Sequence, residues 1–472
     1  MAPRYSSYRS FIADYECGQV TCEELVLYYL KRIEETEALN IYLEVFEEEA
    51  LSRARELDAR CADKRGKLFG MVISLKDVLC YKDHLVTGGS KILEGFRSLF
   101  SATAVERLLA EDAIIIGRVN CDEFAMGSTT ENSAYGASKN AIDPDRVPGG
   151  SSGGSAVSVQ ADTCLASIGS DTGGSVRQPA SFCGLVGLKP TYGRISRHGL
   201  LAYGSSFDQI GPITHSVSDA ALLIEVMSGK DDFDATMSNR SSFEFKKKKW
   251  TGKAKIAYFP GTLSAEQVDP EVRSVANEFL KKMEEKGHEL VPMNFDLLEY
   301  LVPTYYVMTT AEASTNLSRY DGVRYGYRSE EAGSLIDSYK KSRTAAFGAE
   351  VKRRILLGSF VLSSGFYDAY YSKAQKVRRL LAEETKEIFR SCDFIFMPTS
   401  PIVAWELGAK VDNPVAMYLA DIYTVQANMV GSPAISLPVG THSNGMPIGM
   451  QLMADKFEEE KLLSFAISVQ GA

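Results

Sequence analysis

The chain has 472 residues, 45% of them hydrophobic and 24% charged, with a formal net charge of −9. That is an ordinary globular composition, long enough for one large α/β domain or a few average ones, and its acidic balance argues against unaided nucleic-acid binding. No apolar run reaches the ~18 residues of a membrane span, and MAPRYSSYRSFIADYE at the start lacks an apolar core segment, so a cytoplasmic location and no membrane partner are expected.

Thr21-x-x-Glu24 reads as a capping box that opens a helix with Leu25, Tyr29 and Ile33 on one face and Val26 and Leu30 beside them. A second helix runs through FEEEALSRARELDARC. LFGMVISL is short, apolar and β-branched, a buried strand that delivers Lys76 at its end. Helix ATAVERLLAEDA and strand IIIGRVN complete a βαβ-like alternation. Next comes GGSSGGSAVSVQADTCLASIGSDTGGSVRQPASFCG, from Gly149 to Gly184, and then strands GLVGLKP and DQIGPIT and a helix capped at Ser216. Residues 231–252 turn polar and include FKKKKW, from Phe245 to Trp250, read as a solvated loop or insertion edge. Strand AKIAYFPG restarts the α/β pattern, and residues 269–390 are mainly helical. In YYSKAQKVRRLLAEETKEIF, Tyr370, Ala374, Val377, Leu381 and Ile388 share one stripe. Two late strands, DFIFMPTSP and PAISLPVG, are expected to return to the same sheet. The pattern predicts a single α/β domain over 1–472 with a helical cap.

Three features carry chemistry: Lys76 in GMVISLKD, Ser151 in GGSSGGS and Ser175 in SDTGGS. Glycines let successive N–H groups form an anion-binding nest, and a serine at its end has an oxyanion hole beside it. A serine hydroxyl needs a base within reach. No histidine lies near either cluster, and His84, His198, His215, His288 and His442 form no ligand-spaced pair, which argues against a zinc site and an imidazole relay. Lysine can serve as base, although at its reference pKa only about one in 2,500 is neutral at pH 7. Burial at the end of an apolar strand is a credible way to lower it. Taken singly, a Lys-Asp after a strand is more often a surface or salt-bridged lysine than a base. GGSSGGS reads equally as a flexible loop or phosphate cradle, though it lacks the G-K-[ST] ending of a P-loop. Eight cysteines without a C-x-x-C pair read as reduced, mostly buried thiols.

Together and in this order, these motifs resemble the amidase signature family, and the likeness extends to GLKPTYGRIS and GSPAISLP. The resemblance implies a large mixed central sheet flanked by helices (α/β/α), with a signature core near 65–220 and a helical cap near 262–392. It implies Ser175 as nucleophile, Ser151 as bridging serine after a cis peptide from Gly150, and Lys76 as base. The N–H groups of Thr172, Gly173, Gly174 and Ser175 would form the oxyanion hole. Asp171 and Arg177 flank the nucleophile and read either as a pair that braces the loop or as catalytic groups. EASTNLSRYDGVRYGYR and EVKRRILLGSFVLSSGFYDAYYSKAQKVRR, outside the shared core, resemble the glutaminase subunits of tRNA-dependent amidotransferases. By that likeness Arg354 takes the α-carboxylate of glutamine, Asp421 takes its α-ammonium, and Tyr305 or its neighbour Tyr306 lines the pocket. It also implies a B subunit that binds the tRNA and uses ATP and Mg²⁺, a small C subunit, and no metal or cofactor in this chain. The competing readings are a stand-alone amidase of small amides, a lone tRNA binder and a non-catalytic scaffold subunit.

Overall fold

A computed structural model describes residues 3–246, 250–409 and 420–470. Three lysines of the FKKKKW run (Lys247, Lys248 and Lys249) lie outside the described residues. The strands are β1 (Tyr42–Val45), β2 (Val72–Lys76), β3 (Ile114–Val119), β4 (Ala166–Asp171), β5 (Val186–Lys189) and β6 (Gln209–Thr214). The rest are β7 (Lys255–Tyr258), β8 (Glu289–Pro292), β9 (Phe394–Pro398), β10 (Ala434–Thr441) and β11 (Pro447–Met453). Among the described residues they form one eleven-stranded sheet in the order β1-β3-β2-β4-β6-β5-β10-β11-β9-β7-β8. The sheet is mixed: β2 runs parallel to β3 and β4, whereas β4–β6, β5–β10 and β10–β11 are antiparallel.

Burial follows position in that order. Strands β2 to β6 are buried along their whole length, while the edge strands β1 and β8 stay partly exposed. Covered on both faces, the inner strands show no in–out alternation of burial, even where the sequence mixes small and polar residues as in ASIGSD of β4. The capping box is formed: Thr21 Oγ1 accepts from Glu24 N and Glu24 accepts from Thr21 N on the helix Cys22–Glu35. Ser216 likewise caps Val217–Met227. The second helix runs from Glu47 to Asp58, the βαβ helix from Thr103 to Ala110, and the two late strands do rejoin the sheet as β9 and β10.

Two details differ from expectation. Tyr370 leaves the apolar stripe and is 43% exposed, while Ala374, Leu381 and Ile388 are buried. The cause is a π turn at Asp368–Ser372 ahead of the helix Lys373–Ser391, which adds a residue to the turn and rotates Tyr370 outward. The hairpin partner β11 escaped the sequence reading, although Asn444-Gly445 before it is a hairpin signal and Gly445 takes a left-handed φ of +87°. Six of the eight cysteines are buried; Cys17 and Cys61 are exposed.

The cap is built from the helices Leu301–Asn316, Leu335–Ala346, Ala349–Val361 and Lys373–Ser391. A small apolar cluster including Leu93, Phe124, Leu317, Phe347 and Val351, separate from the main core, joins it to the loops that follow β2 and β3.

Candidate active site

Because β2, β3 and β4 are parallel neighbours, their C-terminal ends open at one place, where open α/β sheets form ligand crevices. Lys76 ends β2 and is fully buried. Its Nζ lies 2.7 Å from Ser151 Oγ, 2.9 Å from Ser152 Oγ and 2.9 Å from Ser170 Oγ. Ser152 donates its own hydroxyl hydrogen to Ser170 O at 3.1 Å, so towards Lys76 it accepts. Burial pushes the Lys76 ammonium down to about 8, against the pull of Asp122, Asp171 and Asp208. A neutral amine has two hydrogens and one lone pair. In that neutral form, with Ser152 and Ser170 taking the two hydrogens, the lone pair is left for Ser151.

Ser151 follows a cis peptide from Gly150. Gly150 N donates to Gln178 Oε1 at 3.0 Å, and Asp122 N donates to Ser151 O at 3.2 Å. Gly150 is pressed so closely on Asp122 that a Cβ there would stand 2.2 Å from Oδ2. Asp122 is fully buried and accepts from the N–H groups of Thr129, Thr130 and Asn132. Burial pushes its carboxyl up to about 6, with those amides holding it down. Sequence reasoning missed Asp122. Its signal was position: it stands three residues past the end of β3, whose Val119 pairs with Lys76.

Ser175 sits between β4 and the helix Arg177–Phe182, 9% exposed. It meets the first serine cluster through the backbone, Ser152 N donating to Ser175 O at 3.2 Å; among the described residues no hydrogen bond joins Ser151 Oγ to Ser175 Oγ. Gly174, at φ +130°, donates its N–H to Asp171 Oδ1 at 2.9 Å. That commitment corrects the expected oxyanion hole: Gly174 braces the loop. The N–H groups of Thr172, Gly173 and Ser175 have no partner among the described residues. Arg177 clasps Asp171 with Nε and Nη2, each at 3.0 Å, both groups fully buried. Burial raises the Asp171 carboxyl, but Arg177, Lys189 and Asn428 outweigh it and bring it to about 2. The Thr172 hydroxyl donates to Asp208 at 2.6 Å, and Asp208 also accepts from the N–H groups of Tyr203 and Gly204.

The cap closes over this nest. Tyr305 is buried with its hydroxyl against Gly173, where a Cβ would approach it to 2.5 Å. Tyr306, half-buried, lies under the Arg354 guanidinium at 5.4 Å, so the two tyrosines divide the wall between them. Arg354 is buried on the helix Ala349–Val361; its Nε donates to Glu350 at 2.8 Å and its Nη1 to Tyr203 Oη at 2.6 Å. Asp421 is buried and accepts from Ser128 Oγ. Burial pushes its carboxyl up to about 7, with Ser128 and Arg354 pulling it down. The site thus sets a buried cation and a buried acid near a serine with open amides. Among the described residues no group of three or more His, Cys, Asp or Glu is placed to hold a metal ion.

The chain matches the Amidase family over residues 24–463. The A subunit of glutamyl-tRNA(Gln) amidotransferase from Chlorobaculum parvum is 50% identical, over 99% of this chain and 98% of that protein. The crystal structure of the corresponding A subunit of glutamyl-tRNA(Gln) amidotransferase from Thermotoga maritima superposes with a TM-score of 0.80 at 38% identity, covering 96% of this chain and 93% of that one. The native peptide amidase from Stenotrophomonas maltophilia gives a TM-score of 0.79 at 27% identity, covering 97% and 95%.

Proposed function

This chain belongs to the amidase signature family, and from that premise we propose that it is the glutamine-hydrolysing subunit of a tRNA-dependent amidotransferase, supplying ammonia to convert Glu-tRNA(Gln) to Gln-tRNA(Gln). The observation that carries the chemistry is a fully buried lysine with its Nζ 2.7 Å from Ser151 Oγ, beside a serine that ends an unfilled amide nest. Glutamine suits these groups chemically: its α-carboxylate matches Arg354 and its α-ammonium matches Asp421, with its side-chain amide directed at Ser175.

In this mechanism neutral Lys76 takes the Ser151 proton, Ser151 takes that of Ser175, and Ser175 Oγ attacks the side-chain carbonyl carbon. The Ser151–Ser175 link closes as the substrate seats, since catalytic hydrogen bonds tighten in the bound complex. The tetrahedral oxyanion is received by the N–H groups of Thr172, Gly173 and Ser175. The C–N bond breaks, Ser151 returns a proton to the departing nitrogen, and ammonia leaves a γ-glutamyl ester on Ser175. Water, deprotonated through the same relay, hydrolyses the ester to glutamate and restores Ser175. Activation of the tRNA-borne glutamate with ATP and Mg²⁺ falls to a partner B subunit, with a small C subunit completing the assembly, in the cytoplasm. The same ammonia serves Asp-tRNA(Asn) where the partner presents it.

Ser175→Ala and Lys76→Ala are each expected to cut glutamine-dependent ammonia release by about 10⁴-fold or more at unchanged melting behaviour. A glutamine-like electrophile should label Ser175 and nothing else. Full turnover in either variant, or faster release from small hydrophobic amides than from glutamine, would sink the reading.

A further inference from the structure

Glu123 stands where the signature core meets the cap. It follows Asp122 directly, in a turn where Phe124 and Ala125 both take left-handed backbone angles, φ +50° and +59°. Its side chain is buried: Ser90 Oγ donates to Oε1, and Gly348 N donates to Oε2 at 2.8 Å. Gly348 is the residue from which the helix Ala349–Val361 starts, and that helix carries Arg354 on its buried side. The helix has no side-chain cap from its own N-cap residue. A carboxylate from another segment therefore does that work, satisfying an orphan N–H and complementing the positive end of the helix. The fit is close, for a Cβ on Gly348 would stand 2.3 Å from Glu123 Oε2. Phe124 and Phe347, the chain neighbours of Glu123 and Gly348, belong to one apolar cluster with Leu93 and Val351, so the joint is a polar pin beside apolar packing. Burial pushes the Glu123 carboxyl up to about 7, against Ser90, Gly348 and Lys352, which hold it down.

We propose that Glu123 is a positioning residue that pins the Arg354 helix to the loop carrying Asp122 and so sets how far the carboxylate clamp stands from Ser175. Adjacent residues of one loop then serve the two halves of the site. Asp122 bonds Ser151 O through its N–H and packs against Gly150, and Glu123 holds the helix that orients the substrate. The inference rests on Arg354 being the partner of the glutamine α-carboxylate.

The test compares ammonia release from glutamine with release from 4-aminobutyramide, which is glutamine without its α-carboxylate, using the protein in the assembly in which it is isolated. Glu123→Gln keeps the shape but leaves one good acceptor for two donors. It is expected to raise KM for glutamine roughly tenfold with kcat within about twofold, and to leave kcat/KM for 4-aminobutyramide unchanged. Glu123→Asp should recover part of the loss. Equal loss on both substrates, or a fall in kcat at constant KM, would overturn the proposal. Should Glu123→Gln fail to fold, Gly348→Ala displaces the same carboxylate and makes the same discrimination. Arg354→Lys separates the two ideas. If it leaves the preference for glutamine intact, the assignment of Arg354 falls, and this inference with it. If it abolishes that preference while Glu123→Gln does not, only the role of Glu123 falls.

Discussion

The proposed mechanism makes Lys76 a base at neutral pH, and its burial favours the neutral amine by withholding water. At a pKa of about 8 roughly one lysine in ten is neutral at pH 7, against about one in 2,500 at the reference value. Activity requires the neutral form. The kcat for glutamine hydrolysis is therefore expected to rise up to tenfold per unit below about pH 8 and level off above it; a flat profile from pH 6 to 9 would exclude Lys76 as the base. In the proposed binding mode Asp421 meets the α-ammonium in its charged form, so KM for glutamine should climb as pH falls through about 7. At this scale Lys76, Ser151 and Ser175 were legible because glycine-serine clusters and a strand-end lysine are rare in combination. Asp122 and Glu123 were not, since a carboxylate in a loop has no local mark of what it will face. The commitment of Gly174 to Asp171 was equally hidden, because it depends on how the loop turns after β4.

Among the elements, the helix Cys22–Glu35 shows what local chemistry determines. Its capping box satisfies two orphan N–H groups, so Thr21→Ala should lower stability by about 1 kcal/mol and leave kcat/KM untouched; thermal melting and the glutaminase assay check both halves. That prediction follows from two residues within one turn of each other in the chain. β2, β3, β5, β6, β7, β9 and β10 were legible for a similar reason, as short runs with apolar and β-branched residues; β4, with the sequence ASIGSD inside the glycine-serine segment, was not. The π turn at Asp368–Ser372 was not, because an extra residue in a helical turn changes which face Tyr370 occupies without changing the pattern around it. The edge strands β1 and β8 were missed too: half-exposed and four residues long, they carry little apolar signal.

Across the whole molecule, Arg177 ties distant parts of the sheet to the nest. Besides Asp171 at the end of β4, it donates to Gln451 on β11 at 2.9 Å and to Asn428 on the helix Val425–Val430 at 2.6 Å. Arg177→Met would leave the Asp171 carboxylate buried without its cation, a loss of about 3–5 kcal/mol. Thermal melting should shift down by several degrees, and glutaminase turnover should fall with it as Gly174 loses a fixed acceptor. Unchanged stability would mean that Asn428 and Lys189 suffice to hold Asp171. By itself the sequence determined the chemistry: glycines that free backbone amides, two serines and a lysine are local features, visible wherever they stand in the chain. It also determined most helix starts and inner strands, which depend on neighbours a few residues away. Only the tertiary structure decided which of those groups meet. Parallel β2, β3 and β4 bring Lys76, Asp122 and Ser175 to one crevice, the cap brings Tyr305 and Arg354 over it, and the turn before the helix Val425–Val430 adds Asp421. Those meetings join residues up to several hundred positions apart, and burial and charge at such contacts exist only once the sheet has closed.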